Sequence, residues 1–170
     1  MKKVSKGFYL GSIIGATGLS FILFIAGRIT IQSGDNDVGF AFIILGFIPM
    51  IYAAVINCVL WYKAWASIQD GHARTTPGKA IGFLFIPIFN LYWLFQAFWG
   101  FAKDCNSYID RKGLSISKLP EELFLTFSIL TLLNVFLRRI PIFGIIFSLV
   151  TFVILVIVIN KLCDVINDMQ

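Results

Sequence analysis

Five stretches of this chain are apolar from end to end, and almost all of its charge sits in the short gaps between them. Residues 8–31, 38–62, 80–102, 123–137 and 142–160 contain no Asp or Glu, and Arg28 is the one ionised side chain inside them. A soluble amphipathic helix shows a polar stripe that returns every turn. These segments show none. The pattern therefore predicts an all-α, polytopic transmembrane helix bundle, with residues 1–170 forming a single integral membrane domain. It places about four full spans at residues 8–31, 38–62, 123–138 and 142–160 and a broken segment at 80–102.

The broken segment is long enough to span, but it contains Ile86-Pro87-Ile88-Phe89-Asn90. Proline removes a backbone donor and pushes the residue before it out of helical geometry. Asn90 is the expected cap of a helix beginning at Leu91. Two half-helices meeting at Pro87 and Asn90 are each too short to cross a ~30 Å hydrocarbon core at about 1.5 Å per residue. The segment is expected to re-enter the membrane from one side or to lie at its interface. The second half should continue as a polar helix through Lys112 and stop at Gly113. Pro120-Glu121-Glu122 is a helix start, and Thr76-Pro77 is a cap followed by a first helical residue.

Charge decides the topology. With a re-entrant segment, eleven Lys and Arg lie inside (Lys2, Lys3, Lys6, Lys63, Arg74, Lys79, Lys103, Arg111, Lys112, Lys118 and Lys161) and three outside (Arg28, Arg138 and Arg139). With a spanning segment the division is eight to six. The positive-inside bias favours the first arrangement, with both termini cytoplasmic and Arg138-Arg139 in a tight outside turn. Arg28 is expected to snorkel toward Asp35 or Asp37. Lysines ahead of the first apolar run resemble a secretory signal, but the run is too long and is expected to stay as a span.

Composition agrees. Apolar residues make up 58% of the chain, mean hydropathy is +0.87, and Phe alone supplies 18 of 170 residues. The net charge of +5 follows from the flanking lysines and arginines and implies no nucleic acid partner. Cys58, Cys105 and Cys163 lack metal spacing and are expected as buried or reduced thiols.

Gly7, Gly11 and Gly15, with Gly18 following, line one face of the first helix. Small residues at that spacing let membrane helices approach closely. Packing on the chain's own second helix and an oligomer contact both fit. Asn57, Asn90, Gln96, Asn134 and Asn160 are the uncharged polar groups at membrane depth, where interhelical hydrogen bonding is the first expectation. Pro87, Asn90 and Gln96 are the structural or functional candidates, because discontinuous helices also line transport sites.

No catalytic signature is present: there is no His-Glu-x-x-His pair and no Gly-x-Ser-x-Gly elbow. The sole histidine, His72, falls in a turn-forming loop beside Asp70. Pro77-Gly78-Lys79 lacks the spacing of a phosphate loop. No cofactor and no metal is expected. No acidic residue lies within an apolar run, which disfavours a proton-coupled carrier.

Between Trp65 and Leu91 the chain carries Pro77-Gly78-Lys79-Ala80 and then Phe85-Ile86-Pro87-Ile88-Phe89-Asn90-Leu91. This stretch resembles a bacterial family of multi-pass membrane proteins of unknown function, in which a Pro-Gly turn precedes an aromatic-Ile-Pro-x-x-Asn-Leu-aromatic run. Leu84 stands where a tryptophan is common, and Leu94 where a second proline is common. The resemblance implies the bacterial inner membrane and brings no activity with it. Three functions follow as expectations. The first is a non-enzymatic membrane subunit or scaffold that binds other membrane proteins or itself. The second is a small oligomeric pore, carrier or membrane-perturbing effector. An intramembrane enzyme is the third and least supported.

Overall fold

A computed structural model describes residues 3–137 and 140–169. It is 83% helical, with no strand among the described residues. The order is α1 (Lys6–Gln32), α2 (Asn36–Ser67), α3 (Pro77–Gly82), α4 (Phe89–Leu94), α5 (Gly100–Lys112), α6 (Glu121–Leu137) and α7 (Pro141–Asp168). A 3-10 turn at Phe83–Phe85 follows α3, and a π-helical turn at Phe95–Trp99 joins α4 to α5. Among the described residues, three helices are long and apolar enough to cross a membrane: α1, α2 and Phe143–Asp168 of α7. At 17 residues α6 rises about 25 Å, at the short end of the range for a spanning helix. The expected Arg138-Arg139 turn lies outside the described residues.

Two compact units form: Gly7–Leu60, and Met1–Lys6 together with Trp61–Gln170. In the first unit α1 and α2 touch backbone to backbone. A Cβ built on Gly27 would sit 2.8 Å from the Gly39 carbonyl oxygen, and one on Gly39 would sit 2.9 Å from the Gly27 carbonyl oxygen. Gly46 leaves room for the Phe24 ring in the same way. The intramolecular small-residue contact is therefore Gly27, Gly39 and Gly46. Beyond the backbone of α1 itself, no atom of the described residues lies within 4 Å of where a Cβ would stand on Gly7, Gly11, Gly15 or Gly18. Of the two readings of that stripe, packing on the second helix is the one these open positions do not support. Ile22, Ile44 and Ile48 stay about two-thirds exposed, as lipid-facing side chains would.

Gly34, at φ +98°, turns the chain between these helices, and Asp35 Oδ1 accepts the Val38 N–H at 3.2 Å to cap α2. Arg28 forms no ion pair with Asp35 or Asp37 among the described residues. The expected snorkelling contact is absent there.

The second unit has a real core. Trp61 and Trp65 from the end of α2 are buried against Phe98, Phe101 and Phe124, with Trp61–Phe98 ring centres 4.6 Å apart and Trp65–Phe101 5.3 Å, and Ile68 just past the helix is also buried. Val158, Ile159, Leu162 and Cys163 of α7 are completely buried. Two asparagines then fix the residues that precede two helices. Asn106 accepts the Leu119 N–H at 2.8 Å and donates to the Leu119 carbonyl at 2.9 Å. Asn167 does the same for Val4, at 2.8 and 2.9 Å. A carboxamide has a peptide's donor and acceptor, so each clamp satisfies both backbone groups of one residue. Lys6 Nζ adds an ion pair to Asp164 at 2.9 Å.

Candidate functional site: a clamped hairpin

Residues 77–112 fold back on themselves. The Thr76 hydroxyl caps α3, accepting the Lys79 N–H at 3.5 Å, and Pro77 occupies the first turn as expected. Ile86 is extended ahead of Pro87, the geometry a following proline imposes. The reversal itself is made at Ile88. Its φ of 68° and ψ of −51°, with the Phe89 N–H donating to the Pro87 carbonyl at 2.7 Å, describe the rare hand of γ-turn. A β-branched residue held there costs on the order of 1–3 kcal/mol.

The expected role of Asn90 is corrected by the same turn. The second arm starts at Phe89 with Ile88 in the cap position, and the Ile86 carbonyl accepts the Asn90 N–H at 3.0 Å. With the chain turned by the backbone, the Asn90 side chain makes no hydrogen bond among the described residues. Its sequence signal was that of a cap, and the left-handed isoleucine took that place.

The two arms are zipped by aromatic rings. Phe83 meets Trp93 at 4.9 Å and Phe89 at 5.5 Å, while Trp93 Nε1 donates to the Ala80 carbonyl at 3.0 Å. Past Leu94 the helix widens into its π turn, where the Gly100 N–H reaches back to the Phe95 carbonyl. The buried Trp65 donates to the Ala97 carbonyl at 3.1 Å, so this irregular turn is held from outside. One-turn π-helices often mark functional sites.

A charged base closes the hairpin. Arg74 donates to Asp104 Oδ1 through Nη2 at 2.7 Å and Nε at 2.9 Å, and its own N–H reaches Asp104 Oδ2 at 2.9 Å. Nη1 donates to Gln96 Oε1 at 3.0 Å, and Gln96 Nε2 donates to the Tyr92 hydroxyl at 2.9 Å. Gly100 leaves space for the guanidinium, since a Cβ there would stand 2.8 Å from Nη1. Asp70 and Arg111 make a second pair at 2.9 Å, with charges in the reverse sense. Loop acid meets helix base in one pair, and loop base meets helix acid in the other.

Burial raises the Asp70 carboxyl, but the His72 N–H and the Arg111 guanidinium outweigh it and hold the group below its usual 3.8. Burial, with Asp104 adding to it, pushes the Cys105 thiol up to about 12. His72 itself is exposed, with its ring 3.8 Å from Asp70. No group of three metal-ligating side chains gathers among the described residues.

Gln96 is the one predicted candidate drawn into this network. Pro87 lies at the exposed reversal. Asn134 behaves as predicted: Nδ2 donates to the Phe147 carbonyl at 3.2 Å and to the Thr151 hydroxyl, and Oδ1 accepts from Ser148 at 3.1 Å, tying α6 to α7. Asn57 and Asn160 each bury an Oδ1 with no partner among the described residues, contrary to the expected interhelical bonds. Arg74, Asp104, Asp70 and Arg111 were not singled out from sequence. Their signal was an Asp–Arg order repeated in loop and helix, four residues apart in one and seven in the other, which pairs only when the chain reverses.

The class this defines is an all-helical protein with three membrane-competent helices and a clamped helical hairpin. No family model, curated protein or solved structure matches the chain.

Proposed function

We propose that this chain is a non-enzymatic subunit or scaffold of a bacterial cytoplasmic membrane that works through helix–helix association. It crosses four times, with both termini cytoplasmic, and residues 77–112 enter and leave from the inside. The observation that carries the topology is the contact between Arg74 and Asp104 at 2.7 Å. A helix running through residues 80–102 would hold those two residues on opposite faces, roughly 30 Å apart. The Val4–Asn167 clamp and the Lys6–Asp164 pair likewise support a shared side for the two ends of the chain.

Association is favoured over chemistry because the ionised groups of the hairpin base are spent on one another. The open glycine stripe of α1 offers a backbone-close face of the kind membrane helices use. The test is disulfide cross-linking of Gly11→Cys in native membranes, followed by identification of the cross-linked product. A discrete adduct with a second copy or another membrane protein is expected, and Gly15→Leu should abolish it. Solute flux through liposomes holding the pure protein, with no adduct formed, would favour a pore instead.

A further inference from the structure

The end of the hairpin is the reverse of its base. Phe85 is 72% and Ile88 84% exposed, with Ile86, Pro87 and Phe89 also open, so the reversal presents an uninterrupted apolar knob. Its direction is fixed by α6, in the same unit. Asn106 of α5 holds Leu119 and Glu121 just at the start of α6, and Phe98 lies further along it, 5.0 Å from Phe127. The returning arm therefore runs antiparallel to α6, from beside its apolar middle back to its charged start, which leaves the Phe85–Phe89 reversal at the apolar end. Arg74, Asp104 and Lys103, the last 3.2 Å over the Trp99 ring, remain at the charged end.

Length agrees with that direction. Residues 77–85 rise about 15 Å at 1.5 Å per α-helical and 2.0 Å per 3-10 residue, half of a ~30 Å hydrocarbon core. We propose that residues 77–99 form a wedge seated in one leaflet only. The acyl chains of that leaflet cover the Phe85–Phe89 knob, and the protein accordingly favours membrane that is convex on the side of its termini. This rests on the topology given under Proposed function. The wedge adds two helical cross-sections to one leaflet and none to the other. An inclusion broader in one leaflet is accommodated where that leaflet is stretched, which is the convex side.

The experiment uses the full chain with Cys58→Ala and a spin label at Ile88→Cys, reconstituted in phosphatidylcholine vesicles. Cys105 and Cys163 are buried. Collision with oxygen against a water-soluble nickel chelate should put the label about 15 Å below the headgroups, near the midplane of the ~30 Å core. In giant vesicles with the protein oriented one way, tubes drawn with the termini-side leaflet outermost should be enriched in protein over the flat membrane. Tubes from the opposite orientation should be depleted. Phe85→Ser with Ile88→Ser should lose the preference while His72→Cys and Ser115→Cys labels stay on one side. A water-accessible Ile88 label, or equal density on tube and flat membrane with those labels on one side, would overturn the wedge alone. Labels on opposite sides would overturn the topology beneath it.

Discussion

In Gly7–Leu60 two helices meet through the bare backbones of Gly27 and Gly39, and most of their large side chains remain exposed. In the unit formed with Trp61–Gln170, tryptophan and phenylalanine rings close a buried core while guanidinium and carboxylate groups pair outside it. The contrast follows from what surrounds each. Between helices in lipid there is no hydrophobic gain from burying a leucine, so close van der Waals approach decides association, and glycine permits it. A region where polar loops meet apolar helices regains the hydrophobic effect, and its buried polar groups need partners.

The comparison breaks most readily at Trp65, which is fully buried and donates to the π turn. Trp65→Ala should cost about 3–5 kcal/mol. Ile48→Ala, on a side chain that is 63% exposed, should stay within about 0.5 kcal/mol in the same micelles. Thermal unfolding followed by circular dichroism reads both. Equal losses would mean that the two units share one mode of packing.

Next in size is Gly39→Leu, which drives a side chain into the Gly27 carbonyl and should destabilise by about 1–3 kcal/mol. Gly11→Leu, with open space around it, should leave the unfolding temperature unchanged. A loss at Gly11 as large as that at Gly39 would return the stripe to intramolecular packing.

The asparagines sharpen the contrast between satisfied and orphaned groups. Asn106→Leu strands both backbone groups of Leu119 and should cost about 1–3 kcal/mol. Asn160→Leu removes a buried, unpartnered oxygen and should be neutral or stabilising by about 1 kcal/mol. Denaturant titration of the two variants, side by side, distinguishes them by sign.

The smallest effect is that of acid on Asp70. Its folded-state pKa is depressed, so its contribution is present above the unfolded value near 3.8 and fades as pH falls through the lower folded value. Between pH 7 and 5 stability should be flat with respect to this group. Below pH 4 the wild type should lose slightly more than Arg111→Met, as read by proteolysis of the 68–76 loop.

Helix positions were legible because apolar runs and their caps are local. Thr76-Pro77, Gly113 and Pro120-Glu121 each specify an end within a few residues, and Gly113 takes its left-handed φ of 61° as the stop signal required. The break at Pro87 was legible for the same reason. Its mechanism was not, since isoleucine at positive φ runs against its propensity. The clamps escaped notice because they join residues far apart: 70 with 111, 74 with 104, 4 with 167. The glycine stripe left two readings open because spacing identifies a face without saying what stands opposite it. Gly27 and Gly39, on separate helices, have no spacing to find.

A chain that turns back over residues 77–112 keeps loop 68–76 and the end of α5 on one side of the membrane. His72→Cys and Ser115→Cys, each in a Cys58→Ala chain, test it with an impermeant maleimide applied to intact cells and to inverted membrane vesicles. Cys105, buried and with its thiol pushed up to about 12, should stay silent. Neither site should be labelled in intact cells, and both should be labelled in inverted vesicles. Labelling of one site from outside and the other from inside would contradict that reversal.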